Sequence, residues 1–125
     1  MKNRFNISRD CEDLSKYIFE SFEKSPKKFR FTVVIKVENL ALQLMDDVSS
    51  ANGYSLENAN TKGIVRRKEL QISALENLKK INNFSEFAWK IKCITYKQYE
   101  QISKRSHDCK DKILNWIESD KRRLA

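Results

Sequence analysis

The sequence predicts an all-α protein, a single up-down four-helix bundle spanning residues 1–125. Three observations lead there. Only two glycines and one proline occur in 125 residues, too few for the turns of an all-β domain or for the glycine loops of a nucleotide-binding α/β fold. Apolar residues make up 40% and charged residues 34%, which suits helices with one buried and one solvated face and argues against disorder. The breakers are also grouped: Pro26, then Gly53 and Gly63, then neither glycine nor proline to the C-terminus.

These breakers divide the chain into predicted helices over residues 9–24, 27–51, 64–93 and 96–119. The first is expected to start near Ser8 or Asp10, with Asp10, Glu12 and Asp13 facing the positive end of the helix dipole. Its apolar stripe is Leu14, Ile18 and Phe22, with Cys11 and Tyr17 beside it. Pro26 ends it, because proline lacks an amide donor and bars helical geometry from Ser25.

The second helix offers Val34, Val37, Ala41, Leu44, Met45 and Val48 on one side, and Ile35 and Leu42 are expected to widen that face. Phe29 and Phe31 are expected to turn toward apolar neighbours at its entry. A polar loop, NGYSLENANTKG, follows. The third helix shows Leu75, Leu78, Ile81, Phe84, Ala88, Ile91 and Ile94 at spacings that drift, and Asn82-Asn83-Phe84-Ser85 suggests a kink. Thr95 and Gln98 have capping-box spacing for the fourth helix. There Tyr99, Ile102, Ser106, Cys109, Ile113 and Trp116 form a 3-4-3-4-3 seam. Leu114 and Ile117 fall off that seam, which makes them candidate oligomer contacts.

Catalytic and metal chemistry find no support in the sequence. His107 is the only histidine, and its i, i+2 relation to Cys109 places the two on different sides of a helix. No CxxC, HExxH or ExxH pattern occurs. No catalytic residue, metal ligand or cofactor is therefore predicted. The odd set Cys11, Cys93 and Cys109 reads as reduced, buried thiols, and Asp46-Asp47 as ordinary surface acids. No signal-like apolar segment opens the chain and no run is long enough to span a bilayer, so a cytoplasmic location without membrane contact is expected.

Charge is the functional clue. The net charge is +8, with nine basic and nine acidic residues in 1–61 but sixteen and eight in 62–125. Such an excess suggests an anionic partner: RNA, DNA, a lipid surface or an acidic protein. The candidate contacts are Lys27, Lys28, Arg30 and Lys36 at the entry of helix 2, and Arg66, Arg67 and Lys68, with Lys62, at the start of helix 3. At both places free backbone amides would assist. Arg105 and Lys112 share one face of helix 4, and Lys121-Arg122-Arg123 reads as a mobile basic tail. A basic scaffold meeting an acidic protein is the alternative. Tyr17, Tyr54, Tyr96 and Tyr99 are possible base-stacking rings, although no base-specific platform is evident.

The order FEKSPKKFRFT, a helix closing with SSAN, then TYKQYEQ and ILNWIES resembles the accessory variability determinant (Avd) proteins of diversity-generating retroelements. These stand within the wider four-helix-bundle family that includes the ribosomal-RNA intervening-sequence proteins. The likeness covers about residues 12–119. Pro26, Lys27 and Arg30 match the proline-plus-basic entry to helix 2, and Thr95, Gln98 and Tyr99 match the start of helix 4. Trp116 matches an aromatic in a "GGWL"-like end, although LNWI here lacks the small residues. The resemblance implies a homopentameric ring with a basic exterior, carrying about +40. It also implies binding to a reverse transcriptase and its template RNA in mutagenic retrohoming, in a bacterial or phage-encoded setting. The wider family allows instead a ribosomal-RNA association.

Overall fold

The structure, a computed structural model, describes residues 2–57 and 60–125, with side chains from residue 6 onward. It contains α1 (Lys2–Glu23), α2 (Ile35–Asn52), α3 (Thr61–Lys90) and α4 (Tyr96–Leu124). A 3-10 turn (Lys27–Phe29) and a five-residue π turn (Arg30–Val34) lead into α2. No strand occurs among the described residues. Each helix packs on the next, and α4 closes the square against α1, as in an up-down bundle.

Helix α1 starts earlier than its acids suggest. Ile7 is fully buried and extends the stripe Cys11, Leu14, Ile18, Phe22 back by one turn, so burial sets the start and Asp10, Glu12 and Asp13 lie inside the helix. Ser15 turns its hydroxyl back to the Cys11 carbonyl at 2.8 Å. That internal bond allows a polar residue to face α2 at 2% exposure.

The entry to α2 is less regular than a single helix over 27–51. Pro26 is extended (φ −55°, ψ 138°), Phe29 donates its amide to the Pro26 carbonyl, and the π turn follows. Phe29 packs against the core, but Phe31 is 81% exposed; the wider π turn carries it to the outside. Ile35 and Leu42 are also exposed. The buried face of α2 runs instead through Val34, Val37, Leu40, Ala41, Leu44, Val48 and Ala51, and Asp47 shares it.

Asn60 caps α3 by accepting the Gly63 amide at 2.9 Å. Residues 58–59 of the predicted polar loop lie outside the described residues. The helix continues through Asn82-Asn83-Phe84-Ser85 without interruption to Lys90. Its inner face explains the drifting apolar pattern: Arg67, Gln71, Asn77 and Ser85 are buried beside Leu70, Ala74, Leu78, Ile81 and Ala88. Helix α4 opens with the predicted capping box. Thr95 accepts the Gln98 amide at 3.1 Å while the Gln98 side chain accepts the Thr95 amide at 2.9 Å. The Ile102, Ser106, Cys109, Ile113, Trp116 seam is buried. The Lys121-Arg122-Arg123 run is helical rather than a loose tail, because buried Asp120 holds the last turns in place. Cations there also suit the negative end of the helix dipole.

Candidate nucleic-acid interface

The up-down order brings the α1–α2 and α3–α4 connections to one end of the bundle, where they line a shared cleft. Their sequences have one feature in common. Residues 24–36 hold Lys24, Lys27, Lys28, Arg30 and Lys36, and residues 87–99 hold Lys90, Lys92 and Lys97, with no Asp or Glu in either segment. Lys24, Lys27, Lys28, Arg30, Lys36, Lys92 and Lys97 are all exposed. Lys90 is paired with Glu86 at 3.7 Å. The other seven form no ion pair among the described residues, and cations gathered in this way raise the local positive potential, which draws phosphate and releases counterions when it binds.

Aromatic rings are interleaved with this charge. Trp89 stacks on Tyr99 with centroids 5.7 Å apart and planes 4° from parallel. Tyr96 meets Trp89 edge-on at 4.8 Å and 64°. Lys28 lies 5.1 Å from the Phe29 ring centre, and Lys36 reaches across to Phe84 on α3 at 5.5 Å. With Phe31 projecting beside Arg30, this end presents both charge and π surface.

The backbone of the α3–α4 connection is itself unusual. Lys92 has φ 65°, the left-handed region that a side chain with a Cβ rarely adopts. It occupies the position after the α3 C-cap where glycine is usual, and both bonds of a Schellman cap are present. Cys93 donates to the Ala88 carbonyl at 2.7 Å and Lys92 to the Trp89 carbonyl at 2.9 Å. A lysine therefore stands at the rim of the cleft despite a backbone cost that glycine would avoid.

The other predicted contacts divide among three places. Lys27, Lys28, Arg30 and Lys36 come together at the basic end, but not on a simple helix N-terminus. The 3-10 and π turns already bond the Arg30 and Ile35 amides to the Lys27 and Thr32 carbonyls, so side-chain charge and not a helix end distinguishes the site. Lys62, Arg66 and Lys68 are exposed at the opposite end, separated by the length of α2, about 27 Å for 18 residues. Arg66 there is drawn to Glu69 at 3.4 Å.

Arg67 is no surface contact, for its side chain is 1% exposed. Its Nε and Nη2 donate to the two Asp120 oxygens at 2.6 and 2.9 Å, and Nη1 donates to the Tyr54 carbonyl at 2.6 Å. Gln71 adds a fourth donor to the cluster, to Asp120 at 2.9 Å. Trp116 lies under the guanidinium at 5.2 Å. The arginine is consumed in fastening the α2–α3 loop and the end of α4 to α3.

Arg105 and Lys112 flank a groove of about 480 Å³ between α1 and α4 that also holds Asp10, Asp13, Asp108 and Asp111. Lys112 donates to Asp10, whose carboxylate holds the ammonium above its ordinary pKa of 10.5. Arg105 sits 4.6 Å over the Tyr17 ring. Four carboxylates around two cations make this groove unfavourable for a polyanion, so neither residue belongs with the basic end. Of the two candidate oligomer contacts, Leu114 is 44% exposed, whereas Ile117 packs partly on the core.

Asp47 is likewise no surface acid. At 3% exposure it accepts from Gln43 at 2.8 Å, Ser73 at 2.6 Å and Asn77 at 2.8 Å. Cys11 and Cys109 face each other across α1 and α4. The Cys109 contact and burial push the Cys11 thiol far above the ordinary thiol range. Burial also raises Cys93, although Ser25 opposes the shift. His107 is exposed while Cys109 is buried, so the two stand on different sides of α4. Among the described residues no group of three His, Cys, Asp or Glu is placed to hold a metal ion, and no helix is long and apolar enough to cross a membrane.

Sequence reasoning named Tyr96 and Tyr99 as possible stacking rings but missed Lys24, Lys92 and Lys97 as contacts and Trp89 as the ring that joins the two tyrosines. The absence of any acid from both connections was the available signal. Compared with known proteins, the chain matches no family model and no curated sequence.

Proposed function

We propose that this protein is a non-catalytic RNA-binding accessory subunit that engages phosphate through the end of the bundle formed by residues 24–36 and 87–99. The single observation behind this reading is a cleft lined by Lys24 and Lys92, between two acid-free segments, distant in sequence, that carry further exposed cations. The resemblance to Avd proteins supplies the setting: a ring of identical bundles serving a retroelement reverse transcriptase and its template RNA. Within that setting Leu114, exposed on α4, is the subunit contact.

Fluorescence anisotropy with labelled RNA across a salt series tests the reading. Log affinity falls linearly with log salt, by a slope of about −0.7 for each phosphate engaged. Replacing Lys27 and Arg30 together by Glu weakens binding and flattens the slope, while Lys62→Glu with Arg66→Glu at the far end has the smaller effect. No RNA binding at low salt, or equal losses from both pairs, overturns the proposal. Solution mass measurement decides the assembly, and co-purification with the reverse transcriptase decides the partner.

A further inference from the structure

The basic end has a built interior as well as a charged surface. Between the two connections lies an open cleft of about 580 Å³, within the roughly 300–1,000 Å³ range of small-ligand sites. Lys24 and Pro26 line one side, and Trp89, Lys92, Tyr96 and Gln98 the other, with no carboxylate in the lining. Tyr96 is 51% exposed, yet its ring rests edge-on against Trp89, and Trp89 is backed by Tyr99. A half-open aromatic face fixed by two further rings loses little conformational freedom when something stacks on it. The ligand that matches a free π face between two cations is planar, aromatic and tied to negative charge.

We propose that this cleft is a stacking site for an unpaired nucleotide, with the base lying on Tyr96 and the flanking phosphates meeting Lys24 and Lys92. The inference rests on the RNA-binding reading above and narrows its ligand to single-stranded RNA. In a duplex the base faces are occupied by their neighbours and cannot reach the ring. The left-handed backbone at Lys92 then has a consequence for binding: it sets a cation at the cleft rim where glycine would be favoured. Stacking tolerates any base, so the site selects unpaired RNA without reading its sequence.

The test uses the intact protein and three probes: an oligouridine of about ten nucleotides, an abasic strand of equal length and charge, and a duplex of equal length. The oligouridine is expected to bind about 5- to 160-fold more tightly than the abasic strand, the range of one stacked base. Binding should also quench emission from Trp89, the tryptophan lining the cleft. Tyr96→Ala lowers oligouridine affinity to the abasic level and leaves abasic affinity unchanged, while Tyr96→Phe retains the preference. Equal affinity for oligouridine and abasic strand, with the salt slope intact, overturns the stacking site and leaves the RNA-binding reading standing. Failure to bind any probe at low salt overturns both. If Tyr96→Ala does not fold, the oligouridine–abasic comparison on the unaltered protein decides the matter.

Discussion

Replacing Arg67 by Met tests whether this arginine fastens the bundle or meets RNA. The substitution removes two charge-assisted bonds to Asp120, at 2.6 and 2.9 Å, and one to the Tyr54 carbonyl at 2.6 Å. What remains is a nearly enclosed carboxylate, 10% exposed, with Gln71 as its remaining donor. Breaking one side of such a pair costs about 3–5 kcal/mol, because the stranded charge stays desolvated. For 125 residues, an unfolding entropy of about 2.1 cal/mol/K per residue converts 1 kcal/mol into about 4 °C, so Tm should fall by about 12–20 °C. Urea denaturation gives the free energy directly, as a lower midpoint with an unchanged slope. Asp120→Leu alone is expected to cost a similar amount. The double variant Arg67→Met/Asp120→Leu should recover most of the loss, since well-packed apolar replacements of a buried pair are often neutral. RNA affinity of the folded fraction stays at the level of the unaltered protein, because Arg67 lies at the end away from the basic cleft. A loss below 1 kcal/mol, or RNA binding that weakens while stability holds, would refute the reasoning.

Three further outcomes are expected. Lys92→Gly relieves a left-handed backbone worth about 1–2 kcal/mol, against a glycine entropy cost of about 0.5–1 kcal/mol; Tm rises slightly, while the RNA salt slope shrinks by about 0.7 through loss of one cation. Asp47→Ala strands the Gln43, Ser73 and Asn77 donors and costs about 2–4 kcal/mol in urea denaturation, whereas exposed Asp46→Ala stays within about 0.5 kcal/mol. The three thiols resist iodoacetamide at pH 8 until denaturant is added: all three are buried, and Cys11 and Cys93 are held protonated by raised pKa values. Mass spectrometry reads the label, and fast alkylation of Cys11 in the native protein would contradict its burial.

Much of the fold was legible because apolar spacing and breakers agreed. The α4 seam, the Thr95–Gln98 box and the Pro26 stop each rest on local chemistry that one segment displays alone. The inner face of α3 was illegible for the opposite reason. Arg67, Gln71 and Asn77 look like solvated residues until their partners, Asp120 and Asp47, arrive from other helices 30 or more positions away. A buried polar network has the composition of a surface, and only the third dimension distinguishes them. Phe31 failed in the other direction, since a π turn shifts the phase of the helix and spacing rules assume that phase is constant.

Counting charge by sequence half likewise does not show how the fold redistributes it. The second half holds the whole excess, yet part of it is neutralised in space. Lys112 meets Asp10 of the first half, and Arg105 shares a groove with Asp10 and Asp13. The first half is balanced overall, but five of its nine cations crowd into residues 24–36, which hold none of its nine carboxylates. An antiparallel bundle sorts connections by parity, so the first and third connections share an end regardless of which half of the chain they come from. Segments 24–36 and 87–99 therefore combine their charge, and the rings of the second lie within reach of the lysines of the first. Pro26 contributes by stopping α1 where it does, so that Lys27, Lys28 and Arg30 remain on an irregular turn facing that end rather than being distributed around a continuing helix.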